Sequence, residues 1–157
     1  MMIANVKGEF HRLRGVVKFD PADPSSSSVE ASMDASTIST RDPQRDAHLK
    51  SPDFLDVEKF PTITFHSKKV TATDGDGFTV LGDLTIHGVT KEVNLHVKEL
   101  TSEVTDPWGN VRRGATAKTR INRKDFGMSF NIALEAGGFL VAEEVDIGLD
   151  VEMIRQG

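Results

Sequence analysis

The stretch FTVLGDLTIHGVTKEVNLHV, residues 78–97, decides the fold. Phe78, Val80, Gly82, Leu84 and Ile86 occupy alternate positions, so they share one face of a strand. Val89, Val93, Leu95 and Val97 also share a face, but on odd numbers. A two-residue turn at His87 and Gly88 reconciles the two parities. It sets Ile86 opposite Val89, Val80 opposite Leu95 and Phe78 opposite Val97, so the apolar faces coincide and turn length fixes the register. Lys91 falls on that face near the turn, where its ammonium reaches solvent. Just upstream, TDGDG at 73–77 reads as another hairpin turn, with glycines for positive φ.

The same alternation extends both ways along the chain. Upstream, Ile63, Phe65 and Ser67 alternate, and so do Val29, Ala31, Met33 and Ala35 against Glu30, Ser32, Asp34 and Ser36. Val6, Gly8 and Phe10 read as a first strand and GVVKFD at 15–20 as a second, with DPADPSSSS at 20–28 a loop. Downstream, residues 99–110 read as a loop ending in the turn DPWGN. Val111, Ala115, Ala117, Thr119 and Ile121 form the next face, and NRKDFGMSFN at 122–131 breaks it. AGGF at 136–139 is a turn, and Val145, Ile147, Leu149, Val151 and Met153 line a long last strand. The result is all-β: seven or eight strands in an antiparallel meander, closing most naturally into a barrel that removes exposed edges. A barrel of eight strands is either filled by its own side chains or holds one small ligand. Ala31, Ala35, Ser67, Gly82, Ala115, Ala117 and Thr119 on the inner face favour a hollow interior.

One segment interrupts the strands, RDAHLKSPDFLDVEKFPTITFHS at 45–67. Asp42 can cap a helix with Pro43 at its first position, and Ser51 with Pro52 offers a second start. A short helical segment is therefore expected at about 42–57. Leu49, Phe54, Leu55, Val57 and Phe60 supply its apolar contacts, and Pro61 ends it.

Composition narrows the function. The 157 residues suit a single domain, 1–157, with a real core. A net charge of −5 without a basic stripe argues against nucleic acid as a partner. There is no cysteine, which excludes disulfides, thiolate metal sites and a cysteine nucleophile. The start, MMIANVKGEF, lacks the pattern of a signal peptide, and no run reaches the length of a membrane span. As written the protein is expected to be cytoplasmic, without an integral membrane segment.

The candidate chemistry is sparse. His11, His48, His66, His87 and His96 are scattered without metal-ligand spacing, and no metal or cofactor is expected. His66 and His96 fall on the outer face. Arg45, Asp46 and His48 allow two readings, an acid–base unit or a trio that ties the helical segment to the barrel rim. No nucleophile stands in a recognisable elbow. Trp108 is expected to pack on a barrel end. Arg112 and Arg113 could attract an anionic head group, and Arg123, Lys124 and Asp125 look like a salt-bridge cluster on the rim. No catalytic residue is assigned. An apolar interior beside a helical segment is how a binder of an apolar molecule would look.

Several segments together carry a family likeness: VKGEF near the start, RDAHLKSPDFLDVEKFPTITFHS, GDLTIHGVTKEVNLHV at 82–97, DPWGNVRRGATAKTRINRKDFG at 106–127, and the closing AGGFLVAEEVDIGLDVE. The chain resembles the YceI-like family of bacterial polyisoprenoid-binding proteins over nearly its whole length. The resemblance implies an extended, antiparallel, eight-stranded, lipocalin-like barrel. It implies a hydrophobic tunnel for a long isoprenoid or related fatty lipid, such as a prenyl quinone. Members include exported periplasmic proteins and leaderless ones, and some dimerise. The family pattern also implies a first strand, with motifs like DPAHS and F-x-V-R-H, ahead of residues 2–10. The chain begins without it, so seven strands and an open edge are expected, and an upstream leader would make the protein periplasmic.

The function expected is non-catalytic binding, transport or storage of such a lipid, with a homodimer as one possible assembly. The alternatives are an enzyme using Arg45, Asp46 and His48 on an apolar substrate, and a filled barrel acting through protein contacts. The inner-face reading assigns ligand contact to Met33, Ile63, Phe65, Phe78 and Val80. It adds Leu84, Leu95, Val97, Ile147 and Leu149 on the later strands. Phe54, Leu55 and Phe60 are rim or lid residues, and Arg45, Asp46 and His48 are structural.

Overall fold

The computed structural model describes residues 7–20, 22–73, 77–131 and 141–155. Eight strands form one antiparallel sheet: β1 (Arg14–Lys18), β2 (Ser28–Asp34), β3 (Thr62–Ala72), β4 (Phe78–Ile86), β5 (Val89–Lys98), β6 (Val104–Thr105), β7 (Val111–Asn122) and β8 (Glu144–Ile154). One helix, α1 (Pro43–Lys50), lies between β2 and β3. The strands run in the order β1-β2-β3-β4-β5-β7, with both β6 and β8 paired to β7. Among the described residues β1 pairs only with β2 and β8 only with β7, so the sheet is not closed.

The central hairpin has the expected register, Phe78↔Val97, Val80↔Leu95 and Ile86↔Val89. Its turn has φ of +56° at His87 and +70° at Gly88. Positive φ at both central residues is the twist that matches two right-handed strands. Gly88 is needed twice over, because a Cβ there would also lie 2.4 Å from the Phe60 ring.

Three elements differ from the sequence reading. The strand expected at residues 6–10 is only one isolated bridge, Glu9 to Ser39, in its described part. The eighth strand is instead β6, inside the expected 99–110 loop, where Val104 and Thr105 pair with Arg112 and Val111. The second helix start at Ser51 forms turns, not a helix. The amides of Leu55, Asp56 and Val57 bond back to the carbonyls of Leu49, Ser51 and Lys50. These bonds close the carboxyl end of α1 and leave no register for a new helix. The first helix starts as expected: the Asp42 carboxylate accepts from the amides of Gln44 and Arg45, and Pro43 takes the first position. The turns read at 73–77 and 136–139 fall wholly or partly outside the described residues.

A bulge in β3 changes which residues face inward. Ser67 pairs with Gly82, but Lys69 pairs with Leu81, leaving Lys68 as the extra residue. The inward set Ile63 and Phe65 therefore continues as Val70, which is buried opposite Val80. Lys68 points outward and bridges Asp83 and Glu92, each at 3.1 Å.

The small residues do not all leave space. The Phe65 ring lies over Gly82, where a Cβ would sit 2.5 Å from Phe65 Cζ and 2.6 Å from the His66 carbonyl oxygen. Gly82 is a seat for that ring. Replacing Gly82 with Ala is expected to cost about 1–3 kcal/mol through this overlap. Urea unfolding followed by circular dichroism measures it. Trimming the ring as well, in G82A/F65L, should recover part of the loss, and a G82A protein as stable as the parent refutes the packing argument.

Candidate functional site

The inner face of the sheet divides into two parts. Toward the β4–β5 turn it is packed. Ile63, Phe65, Leu84, Ile86 and Ile121 form one buried cluster with Leu55, Phe126 and Met128. Toward the far end of the same strands Val70 and Val80 are still buried, while Phe78, Val97 and Leu149 are half covered. Phe78 and Val97 pair there, and Leu149 lies opposite Ala117, which also pairs with Val97.

This division sorts the residues assigned to ligand contact. Ile63, Phe65, Val80 and Leu84 are buried, between 4% and 9% exposed, and take part in core packing. Met33, Phe78, Leu95, Val97, Ile147 and Leu149 stay half-buried on the same face. All of these but Leu149 also pack against the buried cluster. The arrangement is an apolar sheet face on which half-buried side chains lie beside a buried core. The Phe19 ring meets Phe78 edge-on at 5.3 Å, and the Arg113 guanidinium lies over the Phe19 ring, also at 5.3 Å.

The rim residues close the packed end. Phe54 and Leu55 are buried, and Phe60 is half-buried against the His87 ring at 4.8 Å. His87 Nδ1 meets the Phe126 carbonyl oxygen at 3.0 Å. The 51–60 segment, the hairpin turn and the short 3₁₀ turn Arg123–Phe126 thus form one cap.

Arg45 and Asp46 fasten α1 by converging on Thr40. Asp46 accepts from the amide and the hydroxyl of Thr40, and Arg45 donates to the Thr40 hydroxyl and carbonyl at 2.9 and 3.0 Å. The hydroxyl bond, ahead of the backbone one, holds the Asp46 carboxyl below its ordinary range, with burial opposing. His48 does not join them. Its Nε2 lies 2.8 Å from Asp53, and its ring packs edge-on against Phe54 and Phe130. The structure therefore holds no Asp46–His48 acid–base pair, and the expected trio is two separate ties.

Arg123 is expected in a salt-bridge cluster on the rim, and the structure corrects this. It is 4% exposed. Its guanidinium donates to the carbonyls of Ala142, Met128 and Val141 at 2.8, 2.7 and 3.2 Å and lies over the Phe54 ring. Burial lowers its pKa from the usual guanidinium value. Lys124 does form a surface ion pair, with Glu143. Trp108 is corrected too: it does not pack on a barrel end but is 81% exposed, in a turn held by Asp106. Arg112 binds Asp106 at 2.6 Å, and this bond lowers the Asp106 carboxyl to about 2. Arg112 also reaches Glu152, so it is already occupied by carboxylates, whereas Arg113 bonds the Thr101 carbonyl. His66 and His96 are exposed on the outer face. Among the described residues no group of three His, Asp or Glu could hold a metal ion. No helix among them is long and apolar enough to cross a membrane.

The profile of the YceI-like domain matches residues 1–153. The chain belongs to the YceI-like family. A UPF0312 protein of Pseudomonas aeruginosa is 38% identical over 149 residues, which is 95% of this chain and 74% of that protein. One from Yersinia enterocolitica is 39% identical over 148 residues, 94% of this chain and 73% of its own. The crystal structure of the Campylobacter jejuni YceI protein superposes with a TM-score of 0.82 at 26% identity, covering all of this chain and 89% of the other. Burkholderia cenocepacia BcnA gives 0.80 at 22% identity over 93% of this chain and 86% of its own, a likeness of fold. The YceI neighbours accord with the all-β architecture and the single short helix.

Two expectations test the ties around this site. Arg123→Ala leaves three carbonyls without their donor and should destabilise the protein by at least about 2 kcal/mol, with Arg123→Lys recovering little because an ammonium lacks the planar fork. Thermal unfolding by circular dichroism reads both, and an unchanged midpoint in R123A contradicts the account. For Asp46, the folded pKa lies below the unfolded value of about 3.9. Its stabilisation is therefore present above that value and is lost as pH falls through the folded pKa. Asp46→Asn should be less stable than the parent at pH 7, with the gap narrowing below about pH 4; a pH-independent gap speaks against the ionised contact.

Proposed function

We propose that the protein binds an isoprenoid or a similar long apolar lipid, such as a prenyl quinone, without covalent chemistry, and carries or stores it. One observation carries the reading: Met33, Phe78, Leu95, Val97, Ile147 and Leu149 share the inner face of the sheet and remain half-buried after the core has packed. An alkyl chain laid on that face gains about 0.8 kcal/mol per methylene buried. The packed cap at the other end blocks the chain there and sets a limit to its depth. Membership of the YceI-like family supports the same reading.

Catalysis is not part of this function. In this reading Arg45 and Asp46, which hold Thr40, and His48, which holds Asp53, serve as ties of the helical segment.

Mass spectrometry of organic extracts from the purified protein should reveal a co-purifying long-chain lipid, and an added prenyl quinone should raise the melting temperature. Leu95→Gln and Leu149→Gln place an amide on the half-buried face and should weaken quinone binding at least tenfold. Each variant should keep its circular dichroism spectrum. Absence of both co-purified lipid and quinone stabilisation would falsify the proposal.

A further inference from the structure

The turn between β6 and β7 holds an indole out in water. Trp108 is 81% exposed, yet the turn that carries it is firmly built. The Asp106 carboxylate accepts from the amides of Trp108 and Asn110, both at 2.9 Å, and Arg112 holds the same carboxylate at 2.6 Å. Backbone bonds join Asp106 to Gly109 and to Asn110, and Gly109 takes φ of +84°. A large amphipathic ring on a fixed backbone loses little freedom when a partner covers it.

The ring has apolar company on the outer face. Val104 of β6 and Ile154 of β8 both pair with Arg112, so the three side chains lie in one row across three strands. Val104 is 63% and Ile154 42% exposed. The inner face reaches the same end of the sheet. Beyond Leu149, the half-buried Val151 and Met153 follow on β8, opposite Ala115 and Arg113. Arg113 lies over Phe19, and Phe19 meets Phe78. The half-covered apolar strip therefore runs along β8 to the end that carries the Trp108 turn, away from the cap.

Charge narrows the kind of partner. Arg112 is taken by Asp106 and Glu152, Arg155 pairs with Glu103 at 3.6 Å, and Arg113 donates to the Thr101 carbonyl. The arginines beside the turn are thus engaged, and the net charge of −5 disfavours an anionic surface. A displayed indole with two aliphatic neighbours and no free cationic cluster suits the headgroup layer of a zwitterionic bilayer.

We propose that the Trp108 turn docks the protein on a zwitterionic lipid bilayer. Trp108, Val104 and Ile154 enter the headgroup layer, the cap faces away, and an apolar chain passes between the bilayer and the strip along β8. This rests on the lipid-binding reading above, because a long apolar lipid resides in bilayers.

Flotation with cargo-free phosphatidylcholine vesicles tests the docking without any quinone. The parent should float with the vesicles, Trp108→Ala should do so at least about threefold less, and Trp108→Phe should keep part of the binding. Salt at about 0.5 M should leave the bound fraction of the parent unchanged. Transfer of a prenyl benzoquinone from the same vesicles should slow in W108A by a similar factor, while its binding of quinone presented in detergent stays at the parent level. Equal flotation of parent and W108A, or none by the folded parent, overturns the docking and leaves lipid binding standing. Flotation confined to phosphatidylglycerol vesicles and abolished by salt refutes the zwitterionic surface. Concentration-dependent dimerisation that W108A loses, without vesicle binding, gives the turn to a second copy and refutes the bilayer as partner. If the parent takes up no quinone from detergent, the lipid-binding reading fails, and flotation still decides the docking by itself.

Discussion

A buried cation holds the closed end of this molecule together. Moving a guanidinium out of water is costly unless its donors are satisfied, and at Arg123 backbone carbonyls satisfy them. Two of those carbonyls, of Val141 and Ala142, belong to the lead-in of β8, and the third, of Met128, belongs to the turn after β7. The face of the same group lies over Phe54, which comes from the segment between α1 and β3. One side chain thus joins its own turn to the lead-in of β8 and to the distant segment that carries Phe54. If it moved, Phe54 would lose its cover and the entry to the last strand would lose its anchor.

That anchor explains the asymmetry of the inner face. One end is filled by Leu55, Ile63, Ile86, Ile121 and Phe126, and its side chains have little room to move. Toward the other end Val70 and Val80 are still buried, while Phe78, Val97 and Leu149 stay half-covered on the open sheet.

The central hairpin was legible because two constraints agree: the parity switch between β4 and β5, and a dipeptide able to turn with positive φ. The start of α1 was legible because Asp42 and Pro43 are local signals that need no tertiary partner. Other features depend on contacts invisible in a linear reading. Lys68 looks like any outward lysine, yet its insertion reverses the parity of β3 and turns Val70 inward. Arg123 sits among charged neighbours and reads as a surface residue; only the fold brings three carbonyls to it. β6 is two residues long, too short for alternation to show. The half-buried state of the candidate ligand residues could not be read either, because alternation separates inside from outside but not covered from uncovered.

Trp108 is the only tryptophan, and the chain has no tyrosine. Its indole already lies in water in the folded protein, on a turn fixed by Asp106. Unfolding therefore changes its surroundings little, and its emission is nearly blind to the loss of the core. The same exposure makes it a clean optical beacon for events at the 106–110 turn alone: a quencher or a partner arriving there would register without interference from the interior.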